Sequence, residues 1–269
     1  MNHMANEAMM HRRSFMGLLG GIGMITMSRA DESGVDQKTR VYLMETYLLR
    51  QGSQLPRIHE YLSKAALPAL NKLHSGPKIV LEALIAAHIP QVAVFIGFGS
   101  FGEMWSLRDK LNSDQELRKT YEAWQSGPEP PFEQQTNTLL EATTYSPDIT
   151  PLAASPKSPR IFELRVYHSP TPQQLQALHE RFAGPEIGIF RRVGVNPILY
   201  SATVIGPNMP NLTYLTPFDD LAAREKAWNA FAADPEWIKA RKESIDKDGQ
   251  IVSTSQISIF KAAPYSPVQ

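Results

Sequence analysis

The chain has 269 residues with 27 Lys+Arg against 27 Asp+Glu, a balance that excludes the global field by which nucleic-acid or anionic-lipid binders recruit their partners. With 42% hydrophobic and 20% charged residues it is an ordinary globular mixture, neither disordered nor collagen-like. It has no Cys, which removes disulfides, iron–sulfur ligation, thiolate zinc sites and Cys nucleophiles, so any chemistry falls to His, carboxylates, Tyr, Arg or a cofactor.

In chain order, residues 1–30 read as an address. Arg12-Arg13 precede Phe15, a weakly apolar Gly-rich run extends from Gly17 to Met27, and Ser28-Arg29-Ala30 offers small residues where a signal peptidase cuts. The segment resembles a twin-arginine (Tat) export signal ending at Ala30. Arg29 beside the cleavage point discourages the general secretory route and is tolerated by the exporter of folded proteins. The apolar run is shorter than the roughly 20 residues of a spanning helix. The expectation is therefore export to the periplasm or beyond, with no stable membrane insertion after cleavage.

The remaining chain is written twice. At a single offset of 120 residues Tyr167 falls on Tyr47, His179-Glu180 on His59-Glu60, Pro210 on Pro90, Asp234 on Asp114, and Tyr265-Ser266-Pro267 on Tyr145-Ser146-Pro147. Identities that hold one ungapped register over such a length point to an internal duplication. The expected boundaries are a first repeat over 40–149, a linker over 150–159 carrying Ser155-Pro156-Lys157-Ser158-Pro159, a second repeat over 160–262, and a tail over 263–269.

Each repeat reads as strand, helix, strand, strand, helix, strand. In the second, Ile161 to Tyr167 alternates, with Phe162, Leu164 and Val166 on one face and Glu163, Arg165 and Tyr167 on the other. Thr171-Pro172 supplies a cap and a first-turn proline for a helix striped by Leu175, Leu178 and Phe182. Ile198–Ile205 and Leu212–Phe218 flank the turn Gly206 to Asn211 as a hairpin. Asp219-Asp220 opens a helix whose Leu221, Trp228 and Phe231 are expected to face inward, Asp234-Pro235 opens another, and Ser255–Lys261 closes as the last strand. A βαββαβ unit leaves one sheet face bare, and two tandem units can bury those faces against each other. The fold class expected is α+β, with tandem ferredoxin-like βαββαβ repeats forming an intrachain dimeric α+β barrel. Glu163, Arg165, Tyr167, Glu45 and Tyr47 are expected to point into the space between the two sheets.

Phe162 to His168, the hairpin Ile205-Gly206-Pro207-Asn208-Met209-Pro210-Asn211-Leu212-Thr213-Tyr214, and the run Phe218 to Arg224 resemble the NIPSNAP family. The resemblance covers about residues 160–262. In the first repeat Val41 to Tyr47 keeps the strand pattern, but His88-Ile89-Pro90-Gln91 replaces the Asn-Met-Pro-Asn turn. The family implies a ferredoxin-like, dimeric α+β barrel fold and carries no established reaction; related barrels include cofactor-free oxygenases and isomerases.

Gly97-Phe98-Gly99-Ser100-Phe101-Gly102 spells G-x-G-x-x-G, yet a dinucleotide site needs a parallel βαβ unit, and the counterpart Pro217 to Ala222 keeps none of the glycines. The glycines instead ease a strand-to-helix turn packed around two Phe side chains. His179 borders the apolar stripe of its helix, where it could act as proton shuttle, haem ligand or metal ligand, or serve as a half-buried histidine bonded across helix and sheet. His168, Arg191, Tyr200, Asn208 and Tyr214 could line a small cleft at one barrel end. Arg191-Arg192 could equally compensate a helix C-terminus, and the tyrosines could simply pack. No hydrolase, kinase or metal-cage motif occurs, and no cofactor is expected.

Two functions stay open on these residues. One is a barrel that binds a small organic molecule or a protein partner, with Glu163, Arg165, Tyr167, Tyr200, Asn208, Tyr214 and Arg191 as ligand contacts and room for a homodimer. The other is a cofactor-free oxygenase or isomerase, with His179 or His168 as base and Arg165 or Tyr167 holding an oxygen substituent.

Overall fold

The computed structural model describes residues 38–150 and 159–269. The twin-arginine segment and the body of the expected linker lie outside the described residues. The first half runs β1 (Val41–Leu48), α1 (Gln54–Tyr61), a π-helical turn (Leu62–Ala66), α2 (Leu67–Leu73), β2 (Lys78–Ile85), β3 (Gln91–Phe98), α3 (Phe101–Ser113), α4 (Gln115–Gln125) and β4 (Gln134–Ala142). The second half repeats this as β5 (Ile161–His168), α5 (Pro172–Arg181), a π-helical turn (Phe182–Glu186), α6 (Ile187–Val193), β6 (Leu199–Ile205), β7 (Asn211–Phe218), α7 (Leu221–Ala233), α8 (Pro235–Asp248) and β8 (Thr254–Ala262). The offset of 120 carries even the π-helical turns and the cis-prolines Pro90 and Pro210 onto one another.

Local chemistry accounts for the helix starts. Thr171 accepts from the backbone N–H of Gln174, Asp220 from Ala223, and Asp234 from Glu236 and Trp237, which satisfies first-turn donors. Ser100 does the same for Glu103, whose carboxylate accepts in return from Gly99 N–H at 2.7 Å. The G-x-G-x-x-G segment is thus a capped turn leaving a strand that is antiparallel to both its neighbours. A Cβ on Gly97 would sit 2.7 Å from Pro77 and Thr39, so glycine there permits close packing. Only Phe98 of the two phenylalanines is buried; Phe101 is exposed on the first turn of α3.

The eight strands close into one antiparallel barrel in the order β1-β3-β2-β8-β5-β7-β6-β4. Each half supplies a four-stranded sheet, and the halves are joined by the β2–β8 and β4–β6 ladders. The barrel interior is apolar and built from both halves, with Tyr42, Phe95, Leu140, Phe162, Leu164, Leu215 and Phe260 in one cluster that contains no helical residue. Two further clusters lie between each sheet and its own helices.

This arrangement reverses one expectation. Phe162 and Leu164 fill the barrel, whereas Glu163, Arg165, Tyr167, Glu45 and Tyr47 face the helices: Glu163 bonds Arg224 of α7, and Arg165 lies over Trp228 of the same helix. Alternation along a strand defines two faces, but here both are buried, so the more apolar set packs sheet on sheet and the polar set meets helices that bring partners. Leu221 also departs from expectation. It is exposed at the first turn of α7, whose buried residues are Ala227 and Phe231.

Candidate helix–sheet cavity in the second half

In the second half the layer between helices and sheet holds a connected polar chain. Glu163 is fully buried and accepts hydrogen bonds from both Arg165 and Arg224. The Arg165 guanidinium lies 3.6 Å from the Trp228 ring centroid and donates to the Tyr167 hydroxyl at 2.9 Å. The Tyr214 hydroxyl, also fully buried, donates to the same oxygen at 2.8 Å, and burial drives its own pKa well above the ordinary phenol value. A burial of charge on this scale is tolerable because every member has a partner.

Beyond Tyr167 the layer opens. A cavity of about 340 Å³ is lined by Tyr167, Arg181, Glu186, Phe231, Trp237, Arg241, Ile245 and the backbone run from Gln250 to Ser255. Glu186, at the end of the π-helical turn, is completely buried; burial pushes its pKa up to about 7 although Arg181 Nε donates to it at 2.8 Å. Arg181 also donates to Ser244 at 3.2 Å and lies over the Trp237 ring, which packs 4.3 Å from Phe231. The outer wall is α8, which has no buried residue along its 14 positions. Its N-terminus is pinned by Arg192, which pairs with Asp234 at 2.8 Å and Glu236 at 3.0 Å.

Of the residues singled out in the sequence, Glu163, Arg165, Tyr167 and Tyr214 come together, and Tyr167 reaches the cavity wall. His179 does not line it. Its Nδ1 shares a 2.8 Å hydrogen bond with Tyr145, which reaches across from the first half, and burial lowers its pKa. Tyr200 packs edge-on against Tyr145 and stacks on Tyr214 in the same aromatic group. His168 bonds the carbonyl of Asn208 at 3.0 Å, and Asn208 bonds Gln256, so both belong to the hairpin rim rather than to the cavity. Arg191 is exposed on α6.

Arg181, Glu186, Trp237 and Arg241 escaped the sequence reading. A signal for them existed in the repeat: they fall on Tyr61, Ala66, Leu117 and Tyr121, so the duplication changed character at each of these positions. In the first half the corresponding slot is filled, with Tyr61 stacked on Trp124 at 4.5 Å and both packed against Tyr121. Among the described residues no group of three or more His, Asp or Glu converges to hold a metal, and no helix is long and apolar enough to cross a membrane.

The class these features define is the dimeric α+β barrel, here closed within one chain. A monooxygenase-like protein of Fusobacterium nucleatum superposes with a TM-score of 0.53 at 9% identity, over 84% of this chain and 93% of its own. An anthrone oxidase-like protein does so with a TM-score of 0.51 at 12% identity, over 84% and 92%. At such identities the likeness is one of fold. Within the class, the NIPSNAP family model matches residues 162–267, which is the second half alone. A NIPSNAP-like domain protein of Burkholderia xenovorans aligns at 28% identity over 40% of this chain and 89% of its own, with a TM-score of 0.35. No curated protein matches the chain.

Proposed function

We propose that this is an exported barrel protein that holds a small organic molecule in the cavity of its second half, while the first half closes the barrel and fills the equivalent slot with aromatic side chains. One observation carries the reading. At the positions that Tyr61, Tyr121 and Trp124 fill in the first half, the second half has Arg181 and Arg241, which line a cavity of about 340 Å³, and Ser244, which bonds Arg181 beside it. That volume lies at the lower end of small-molecule sites, and the wall sets Arg181, Arg241 and Glu186 beside the apolar Phe231, Trp237 and Ile245.

Native mass spectrometry of the mature protein from a Tat-competent host tests this reading. A non-covalent adduct is expected on the wild type, and none on the double variant Ser244→Trp/Arg241→Tyr, which rebuilds the filled slot. An unliganded wild type that also binds nothing from a library of small aromatic acids, amides and amines would end the proposal. Export rests on Arg12-Arg13, and the double variant Arg12→Lys/Arg13→Lys should retain the precursor in the cytoplasm.

A second reading, a cofactor-free oxygenase or isomerase, is favoured by one group. Glu186 on the cavity wall, its pKa pushed up to about 7, is poised to take a proton from a bound substrate at neutral pH. In this reading Glu186 replaces His179 as the base and Tyr167 holds an oxygen substituent. Glu186→Gln would then abolish turnover while leaving ligand affinity largely intact; a variant that keeps turning over removes the carboxyl from the mechanism.

A further inference from the structure

The chemistry of the cavity wall is one-sided, and the asymmetry starts from Tyr167. Its oxygen accepts from Arg165 Nη1 at 2.9 Å and from Tyr214 at 2.8 Å. Arg165 can only donate, and Tyr214, fully buried with no other hydrogen-bond partner among the described residues, must place its proton on Tyr167. Both lone pairs of Tyr167 are therefore taken, and its own hydroxyl proton has no acceptor among the described residues. Tyr167 lines the cavity, so the layer presents there a donor in want of an acceptor.

The charges add to this. Two guanidiniums, Arg181 and Arg241, face one carboxyl, Glu186. Arg181 is committed to Glu186 and Ser244, whereas the Arg241 guanidinium makes no ion pair or hydrogen bond with the described residues. The cavity thus carries one uncompensated cation even with Glu186 ionised. Trp237 and Phe231, ring centroids 4.3 Å apart, line the same cavity and supply its aromatic wall, with the Arg181 guanidinium over the Trp237 ring.

We infer that the cavity takes a planar organic monoanion, an aromatic carboxylate, with its ring against Trp237 and its acceptor oxygens met by the Arg241 guanidinium and the Tyr167 hydroxyl. The inference rests on the binding reading above and gives that site its ligand class. Arg–carboxylate recognition supplies both charge and directed N–H donors, and the phenolic proton supplies a further directed contact. A cationic ligand would meet the unpaired Arg241 at like charge, and a neutral amide would forgo the ionic contact.

The test uses three ligands of one shape on the purified mature chain: 2-naphthoate, 2-naphthamide and 2-naphthylmethylammonium, titrated by calorimetry with tryptophan fluorescence as a second readout. Naphthoate should bind about tenfold or more tighter than the amide, and the ammonium weakest. Arg241→Gln should cost naphthoate about tenfold and the amide far less, and Tyr167→Phe should weaken naphthoate further. Arg241 is exposed and unpartnered, so that variant is expected to keep the wild-type melting temperature. Equal binding of acid and amide, or preference for the ammonium, with binding lost in Ser244→Trp, would overturn the anion assignment and leave the cavity reading standing. Binding of none of the three, with no adduct in the native mass spectrum, would overturn both.

Discussion

Tyr61, Tyr121 and Trp124 in the first half and Arg181, Arg241 and Ser244 in the second occupy equivalent positions, 120 residues apart, under the same helices. The first set forms a stacked aromatic plug; the second leaves space walled by α8, a helix with no buried residue, whereas its counterpart α4 buries Leu117, Tyr121 and Trp124. The buried charges are distributed just as unequally. Glu45 of β1 is fully buried with one side-chain hydrogen bond, from Tyr47 at 2.7 Å, and its Oε1 has no partner among the described residues; the residue at its place in β5 is Arg165, which donates to both Glu163 and Tyr167. One half of a duplicated fold can specialise in this way because the barrel ladders between the halves hold the scaffold regardless of what fills each helix–sheet layer.

The strongest break of this comparison is to empty the first half. Trp124→Ser converts the plug to the second half's residue, and the lost stack with Tyr61 should cost about 3–5 kcal/mol in urea unfolding. Ser244→Trp, the reverse exchange, should cost far less, because it enters existing space; a loss of equal size would mean that the second-half cavity is too well packed to admit a ligand.

Next in size comes a pH effect. Burial pushes Glu45 up to about 7, from the ordinary carboxylate value of 4.5, and Glu186 behaves alike. Across this window the native state holds protons that the unfolded chain has released, so stability is fully present below pH 4.5 and is lost as pH rises through about 7. The melting temperature should therefore fall between pH 5 and pH 8, on the order of a few degrees for each buried carboxyl. Glu45→Gln should flatten part of that slope and the double variant with Glu186→Gln most of it. An unchanged slope in the double variant would locate the titration elsewhere.

The smallest effect concerns what the halves share. After β4 and β8 the Tyr-Ser-Pro segments cross over: Tyr145 meets His179 at 2.8 Å and Tyr265 meets His59 at 2.7 Å, while Ser146 accepts from Tyr200 N–H and Ser266 from Val80 N–H. Tyr145→Phe and Tyr265→Phe should each cost about 1 kcal/mol, by loss of one hydrogen bond with the ring retained. Chemical denaturation of the two variants measures whether the crossing is symmetric in energy as it is in geometry; a difference beyond about 1 kcal/mol would show that Glu82, which bonds His59 at 3.1 Å, changes one side.

The sequence by itself determined the duplication, the order of strands and helices, the capping residues Thr171, Asp220 and Asp234, and with them the α+β barrel class. All of these are local or periodic signals, and one offset ties them together. It also set Glu163, Arg165 and Tyr167 on one face of a strand and counted Tyr214 with them among the ligand contacts, but the pairing that puts Arg165 opposite Tyr214 came from the structure. Only the tertiary structure decided which face of β5 lies under the helices, since alternation cannot distinguish two buried faces. It alone decided the cavity, where Tyr167, Arg181, Trp237 and Ser255 converge from β5, α5, α8 and β8. It alone named Tyr145, from the other half, as the partner of the half-buried His179. An empty space and a cross-half contact are products of packing between segments far apart in the chain, and no single segment encodes them.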